Sequence, residues 1–145
     1  MKLKVPFYKQ SNNDCILTCV KMVLEFHGKK FGLKNLHKLC NFGKHGCSIL
    51  DVIGGLEKAN VKSSYGNLSI SELKKMIENK KPVICIINSL FLPWIKVFAF
   101  HSVVVVGYED EKIVLIDPLS GEKRLDIFEF LDAWGIFNNL SVIVK

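Results

Sequence analysis

The most informative segment of this sequence is Gln10-Ser11-Asn12-Asn13-Asp14-Cys15-Ile16-Leu17-Thr18-Cys19. Asn13 and Asp14 are typical N-cap residues, and the apolar positions that follow them predict a helix ending near His27. Cys15 then lies at the helix N-terminus, beside unpaired backbone N–H groups and the positive end of the helix dipole. Both features favour the thiolate, which is the nucleophilic form of cysteine.

Two strand-like segments far downstream each carry one polar residue of a catalytic type. They read Phe100-His101-Ser102-Val103-Val104-Val105-Val106-Gly107-Tyr108 and Val114-Leu115-Ile116-Asp117-Pro118. In a hairpin centred near Asp110, His101 and Asp117 would be approximate cross-strand partners. The sequence therefore predicts a Cys/His/Asp nucleophilic site, in which Cys15 attacks an amide carbonyl, His101 carries the proton and Asp117 orients His101. Gln10 is the candidate donor to the oxyanion, beside the N–H of Cys15.

Hydrophobic periodicity predicts helices in the first half of the chain and strands in the second. Helices are expected over 33–40, from a Ser48 capping box to Ala59, from Ser69 or Ser71 to just before Lys81, and over 127–134. Strands are expected over 61–65 (at a sheet edge), 83–87, 99–108, 112–117, 122–125 and 141–144. This order predicts an α+β fold, with an N-terminal helical half packed on a C-terminal antiparallel sheet, in one domain over residues 1–145. The site would lie in the cleft between the two halves.

Composition places the chain among ordinary globular proteins. It has 145 residues, of which 49% are hydrophobic and 23% charged. Residues 1–12 contain no apolar core of a secretory signal, and polar residues interrupt the apolar stretch 82–107 before it reaches the roughly 18 residues of a membrane span. Five cysteines, an odd number, predict reduced thiols and a cytoplasmic location.

The net charge of +6 comes from the N-terminal part of the chain. Residues 1–38 hold eight lysines against Asp14 and Glu25. A lysine-rich face of this kind is most simply solvated, although it would also attract an acidic peptide or a membrane surface. Because Arg124 is the only arginine, we expect no sequence-specific recognition of nucleic acid.

As a set, these motifs resemble the papain-like cysteine peptidases that process bacteriocin and peptide-pheromone precursors after a double-glycine leader, in a stand-alone form. The matching residues are Gln10 five positions before Cys15, Asp14, Gly46-Cys47-Ser48, Phe100-His101-Ser102-Val103-Val104-Val105 and Asp117-Pro118.

The resemblance covers essentially the whole chain and implies a papain-like fold. It also implies the same roles for Cys15, His101, Asp117 and Gln10, without a cofactor. A peptide or protein would be the substrate, with glycine before the cleaved bond, and a separate transporter would be a partner. The chain departs from the family pattern at Ile16 and Cys47, where a small residue and threonine are usual.

Other interpretations remain open for the same residues. His37, Cys40, His45 and Cys47 are four potential zinc ligands within eleven residues, although structural zinc sites usually present two well-spaced pairs. A non-catalytic domain that binds a peptide or leader would use the same cleft. A thiol-dependent acyl transferase would share the thioester intermediate. Aromatic residues in the segment 91–94 would form a wall over the cleft or pack in the core.

Overall fold

The computed structural model describes residues 1–11 and 13–145. The helices are α1 (Cys15–Phe26), α2 (Leu33–Leu39), α3 (Ile49–Lys58), α4 (Ile70–Glu78) and α5 (Ile127–Gly135), with a short 3-10 helix over Ser89–Phe91. The strands are β1 (Ser63–Asn67), β2 (Val83–Asn88), β3 (Phe100–Glu109), β4 (Lys112–Asp117), β5 (Gly121–Asp126) and β6 (Leu140–Val144). Across the described residues they form one antiparallel sheet in the order β1-β6-β2-β3-β4-β5.

The centre of this sheet is covered on both faces. Every residue of β2 is buried, and β3 is buried from His101 to Gly107. Because successive side chains of a strand point to opposite faces, continuous burial requires packing on each side. α1 packs against β2 and β3, and α5 packs against β2 with Phe130 and Trp134 fully buried. The predicted α+β arrangement is confirmed.

Local sequence signals account for most of the helix boundaries. Ser48 accepts from the N–H of Asp51, whose carboxylate accepts from the N–H of Ser48, so the predicted capping box is present. The same arrangement at Ser69 shows that this residue, rather than Ser71, caps α4. The edge strand expected over 61–65 lies two residues later, at Ser63–Asn67.

The N-terminal segment crosses β3 at a glycine. Gly107 follows an irregularity in the pairing of β3 with β4, and it forms a bridge with Lys2. A Cβ atom at Gly107 would lie 2.2 Å from the backbone oxygen of Met1, so only glycine permits this approach. Leu3 donates its N–H to Val106, and the segment continues towards the end of β4, which places Gln10 close to Asp117 in the fold.

Candidate active site

Cys15 is the first residue of α1 and is half-buried. Asp14 occupies the N-cap position, as expected, but its side chain makes no capping hydrogen bond. The Asp14 carboxylate instead accepts from the N–H and the hydroxyl of Ser11, at 2.8 Å each. The N-cap position of Asp14 is thus confirmed, while its buried carboxylate holds Ser11 instead of the first turn of α1.

His37 is a second partner of this carboxylate. Its Nε2 atom lies 3.3 Å from Asp14 Oδ2, and its ring stacks on Phe42 with 4.1 Å between centroids. Nothing in the sequence pattern pairs these two residues, which lie on different elements. Asp14 thus ties α2 to the loop before Cys15.

His101 and Asp117 meet where β3 begins and β4 ends. His101 Nε2 lies 2.9 Å from Asp117 Oδ1, and both side chains are buried, with 7% of the His101 side chain exposed. The pairing of Val104 with Ile116 places Asp117 opposite Val103, so His101 is its diagonal neighbour rather than its direct partner. Residues 101 and 103 share one face of β3, which is why the side chains still reach each other.

The contact with Asp117 occupies Nε2 and leaves Nδ1 of His101 for Cys15. Burial by itself lowers the pKa of His101, but hydrogen bonds to Asp117 and Cys15 and the negative charges of both raise it to about 9. Burial raises the pKa of Cys15, but hydrogen bonds from His101 and Ser102 and the charge of His101 outweigh it, so the pKa lies below the ordinary value. The site therefore favours a thiolate beside an imidazolium.

The other thiols differ from Cys15 in this respect. Burial raises the pKa of Cys19 and of Cys85, which are both fully buried, and raises that of Cys47 to about 12. The pKa of Cys40 is raised for the same reason. Among the five free cysteines, Cys15 is thus the thiol whose surroundings favour ionisation.

Asp117 is held by more donors than the sequence suggests. Besides His101, the backbone N–H of Leu119 donates to Oδ1 at 2.8 Å and the indole N–H of Trp94 donates to Oδ2 at 2.8 Å. Burial raises the pKa of Asp117, but these donors and the charge of His101 hold it below its ordinary value. Trp94 packs against the core and also makes this polar contact with Asp117. The contact was not predicted, because no periodic pattern relates residues 94 and 117.

Gln10 is brought to the site by its backbone. Its N–H donates to the carbonyl of Pro118 at 2.8 Å, directly after Asp117. Its side-chain Nε2 donates to the carbonyl of Ser11 at 3.3 Å, while Oε1 is buried and has no hydrogen-bond partner among the described residues. The amide thus has one long hydrogen bond to its neighbour, and a role at Cys15 requires it to turn.

The four potential zinc ligands do not converge. Within the part of the chain that the structure describes, no three His, Cys, Asp or Glu side chains lie together as a metal site would require. His37 contacts Asp14, Cys40 is buried in the core, and His45 is exposed. The zinc interpretation therefore has no support from the geometry.

Arg124 forms ion pairs with Glu109 and Glu122, so its guanidinium is already occupied. Among residues 1–11 and 13–145, no helix combines the length and the apolar character that crossing a bilayer demands.

Known structures share this fold. A double-glycine motif protease from an AMS/PCAT transporter, solved with its leader peptide, is 21% identical, with a TM-score of 0.78 over 99% of this chain and 93% of that chain. The peptidase domain of Streptococcus ComA, a bi-functional ABC transporter of a quorum-sensing pathway, is 16% identical, with a TM-score of 0.77 over 99% and 98%. A protein of Bacillus anthracis named as a C39-like peptidase is 20% identical, with a TM-score of 0.76 over 100% and 98%.

At these identities the solved structures establish the papain-like peptidase fold. Curated proteins offer no match to this chain. A family model provides the stronger result, since the Peptidase C39 family matches residues 4–140, which is nearly the whole sequence. The chain therefore belongs to the peptidase C39 family, and it is a cysteine peptidase.

Proposed function

We propose that Cys15 is the nucleophile of this peptidase, that His101 is its proton carrier, that Asp117 orients His101, and that Gln10 is the oxyanion donor. The observation that carries the proposal is the 2.9 Å contact between His101 Nε2 and Asp117 Oδ1, beside a Cys15 thiol whose pKa is lowered by hydrogen bonds from His101 and Ser102 against the effect of burial. A buried imidazole held in this way keeps its second nitrogen, Nδ1, for the hydrogen bond to the Cys15 sulfur.

The proposed reaction begins with the thiolate of Cys15. A C–S bond forms at the peptide carbonyl, and the carbonyl electron pair moves to oxygen, where the N–H of Cys15 and the Gln10 amide stabilise the charge. When the tetrahedral intermediate collapses, the C–N bond breaks and the His101 imidazolium protonates the leaving amine. A thioester remains on Cys15. Neutral His101 then accepts a proton from water, whose oxygen displaces the sulfur and restores the thiolate.

For the substrate, we propose a peptide with a double-glycine leader, cleaved after the glycines. Two observations support this class. One structural relative is a double-glycine motif protease solved with its leader peptide. In this chain Cys15 is only half-buried while the His101 side chain is 7% exposed, and a small residue next to the cleaved bond would bring its carbonyl to such a recessed site with the least obstruction. A separate transporter is the partner we propose, because two relatives are transporter domains.

We also propose a cytoplasmic location and a single domain over residues 1–145. All five cysteines are free, which suits a reducing compartment.

Cleavage of matched synthetic peptides tests the proposal. One peptide carries Gly-Gly before the candidate bond, and its partner carries Val-Val at the same positions. Mass spectrometry should show cleavage of the first after the second glycine, and little cleavage of the second. Cys15→Ala should abolish this cleavage, whereas Cys85→Ala, which removes a buried thiol in β2, should retain it.

Other outcomes identify the alternatives. Binding of the Gly-Gly peptide without cleavage by the wild-type protein would favour the peptide-binding domain. A product joined to an added amine, formed in preference to the hydrolysis product, would favour the acyl transferase. Cleavage that persists undiminished in Cys15→Ala would overturn the proposed nucleophile.

A further inference from the structure

The segment between β2 and β3 is anchored beside the catalytic pair. Ser89 donates its hydroxyl to the carbonyl of Val97 at 2.6 Å, and the N–H of Ser89 donates to the carbonyl of Ala99. Leu92 is fully buried, and its carbonyl accepts from Ile95 and Lys96. These contacts fix both ends of the segment and its middle, and the segment places the Trp94 side chain beside Asp117 at the end of β4.

Trp94 lies between two charged residues of the sheet. Its indole N–H donates to Asp117 Oδ2 at 2.8 Å, and Lys123 Nζ lies 5.6 Å from its ring centroid. We propose that Trp94 is a positioning residue for catalysis, which acts on His101 through Asp117; this inference rests on the proposed function of the Cys15, His101 and Asp117 set.

The two oxygens of the Asp117 carboxylate are held by different donors. His101 and the N–H of Leu119 both donate to Oδ1, so these two contacts fix only one of the two oxygens. A carboxylate held at one oxygen can still pivot about that oxygen. The Trp94 indole holds the other oxygen and thereby fixes the plane of the carboxylate. A carboxylate fixed in this plane in turn fixes the orientation of the His101 ring.

Loss of the indole N–H would leave Oδ2 without its donor in a side chain that is fully buried. A buried acceptor without a partner is unfavourable, so the carboxylate would turn towards another donor or take up a proton more readily. Either response weakens the interaction that holds His101 as an imidazolium. Cys15 would then ionise at higher pH.

Trp94→Phe tests this inference, because it retains an aromatic ring and removes the donor. The rate of Cys15 alkylation is measured across pH in the wild-type protein, in Trp94→Phe and in Trp134→Phe. Trp134 also donates its indole N–H, to the carbonyl of Leu140 at 3.1 Å, but within the core of α5 and β6. It is therefore a control for the loss of an indole donor away from Asp117, and thermal unfolding of each variant checks that it is folded.

We expect the midpoint of Cys15 alkylation to move to higher pH by about one unit in Trp94→Phe, and to stay unchanged in Trp134→Phe. Peptide cleavage should fall about tenfold in kcat with little change in KM, since the substrate-binding surface is retained. A wild-type midpoint at the ordinary thiol pKa would contradict the proposed function itself. A low wild-type midpoint that Trp94→Phe leaves in place, or moves lower, overturns this inference alone.

NMR provides a second test, which keeps Trp94 in place and so does not depend on the folding of a Trp94 variant. The chain has two tryptophans, so two indole N–H signals are expected. The signal of Trp94 should shift in Asp117→Asn and should follow the ionisation of the Cys15–His101 pair with pH, while the signal of Trp134 should do neither. Two indole signals that are equally insensitive to both changes would overturn the inference.

Discussion

Cys15 and Cys19 lie one turn apart on α1, yet the pKa values of their thiols are displaced in opposite directions. Burial by itself raises the pKa of both thiols. Cys15 has His101 as a donor and a positive neighbour, whereas Cys19 is fully buried and contacts the hydroxyl of Ser102 at 3.8 Å. The contact with the imidazole is therefore what offsets the effect of burial at Cys15.

This contrast predicts selective modification at neutral pH. With a small excess of iodoacetamide at pH 7, Cys15 should be labelled first, because the other four thiols have raised pKa values and three of them are fully buried. Peptide mapping by mass spectrometry measures the labelled fraction at each cysteine. Labelling of Cys47 before Cys15 would show that exposure, and not ionisation, controls reactivity in this protein.

Asp117→Asn should lower kcat by about 10²–10⁴-fold on the Gly-Gly peptide. Three donors, from His101, Leu119 and Trp94, converge on the two oxygens of Asp117, and an amide NH₂ group at this position must face one of them. The variant also removes the charge that holds the His101 imidazolium. Steady-state kinetics measure the effect, and Asp110→Asn is the matched control, since position 110 has positive φ in the β3–β4 turn and asparagine tolerates that conformation. Equal activity of the two variants would contradict the role of Asp117.

The ionisation of His101 should depend on Cys15. In the wild-type protein its pKa is raised to about 9 by Asp117 and Cys15, and removal of the thiolate in Cys15→Ala should lower it. Because the folded value lies above the unfolded value near 6.5, the stability gained from this proton is complete below about pH 6.5 and is lost as the pH rises through about 9. NMR titration of the His101 ring in both proteins measures the difference. An identical pKa in the two proteins would mean that no ion pair forms.

Gly107→Ala should destabilise the fold by about 1–3 kcal/mol. The new Cβ would lie 2.2 Å from the Met1 oxygen and 2.8 Å from Lys2 Cα, so the N-terminal segment must move away from β3. Since the same segment leads to Gln10, activity should fall as well. Gly66→Ala is the control, because its Cβ would meet nothing within 4 Å. Urea unfolding of both variants measures the effect, and similar midpoints would show that the segment does not pack as described.

The strands around the site were predictable because their signals are local. The bounds of β4 were predicted as 112–117 and observed as Lys112–Asp117, since a turn precedes this apolar run and a proline follows it. The order of helices and strands, and the association of His101 with Asp117, also followed from hydrophobic patterns and from the short turn at Asp110.

The diagonal offset between His101 and Asp117 was not predictable. It depends on the register irregularity near Gly107, where the backbone of the N-terminal segment approaches β3 from a distant part of the sequence. The contacts of Trp94 with Asp117 and of His37 with Asp14 were missed for a related reason. Each joins side chains from separate elements, and only the packed fold brings them together.

The most direct test of the account compares the alkylation rate of Cys15 across pH in the wild-type protein and in His101→Gln. If the imidazolium stabilises the thiolate, the midpoint of the wild-type sulfur should lie below the usual thiol pKa of 9.0. The midpoint of the variant should lie at or above 9.0, because burial then raises the pKa of Cys15 without the imidazolium to oppose it. Identical profiles in the two proteins would contradict the central claim that His101 activates Cys15.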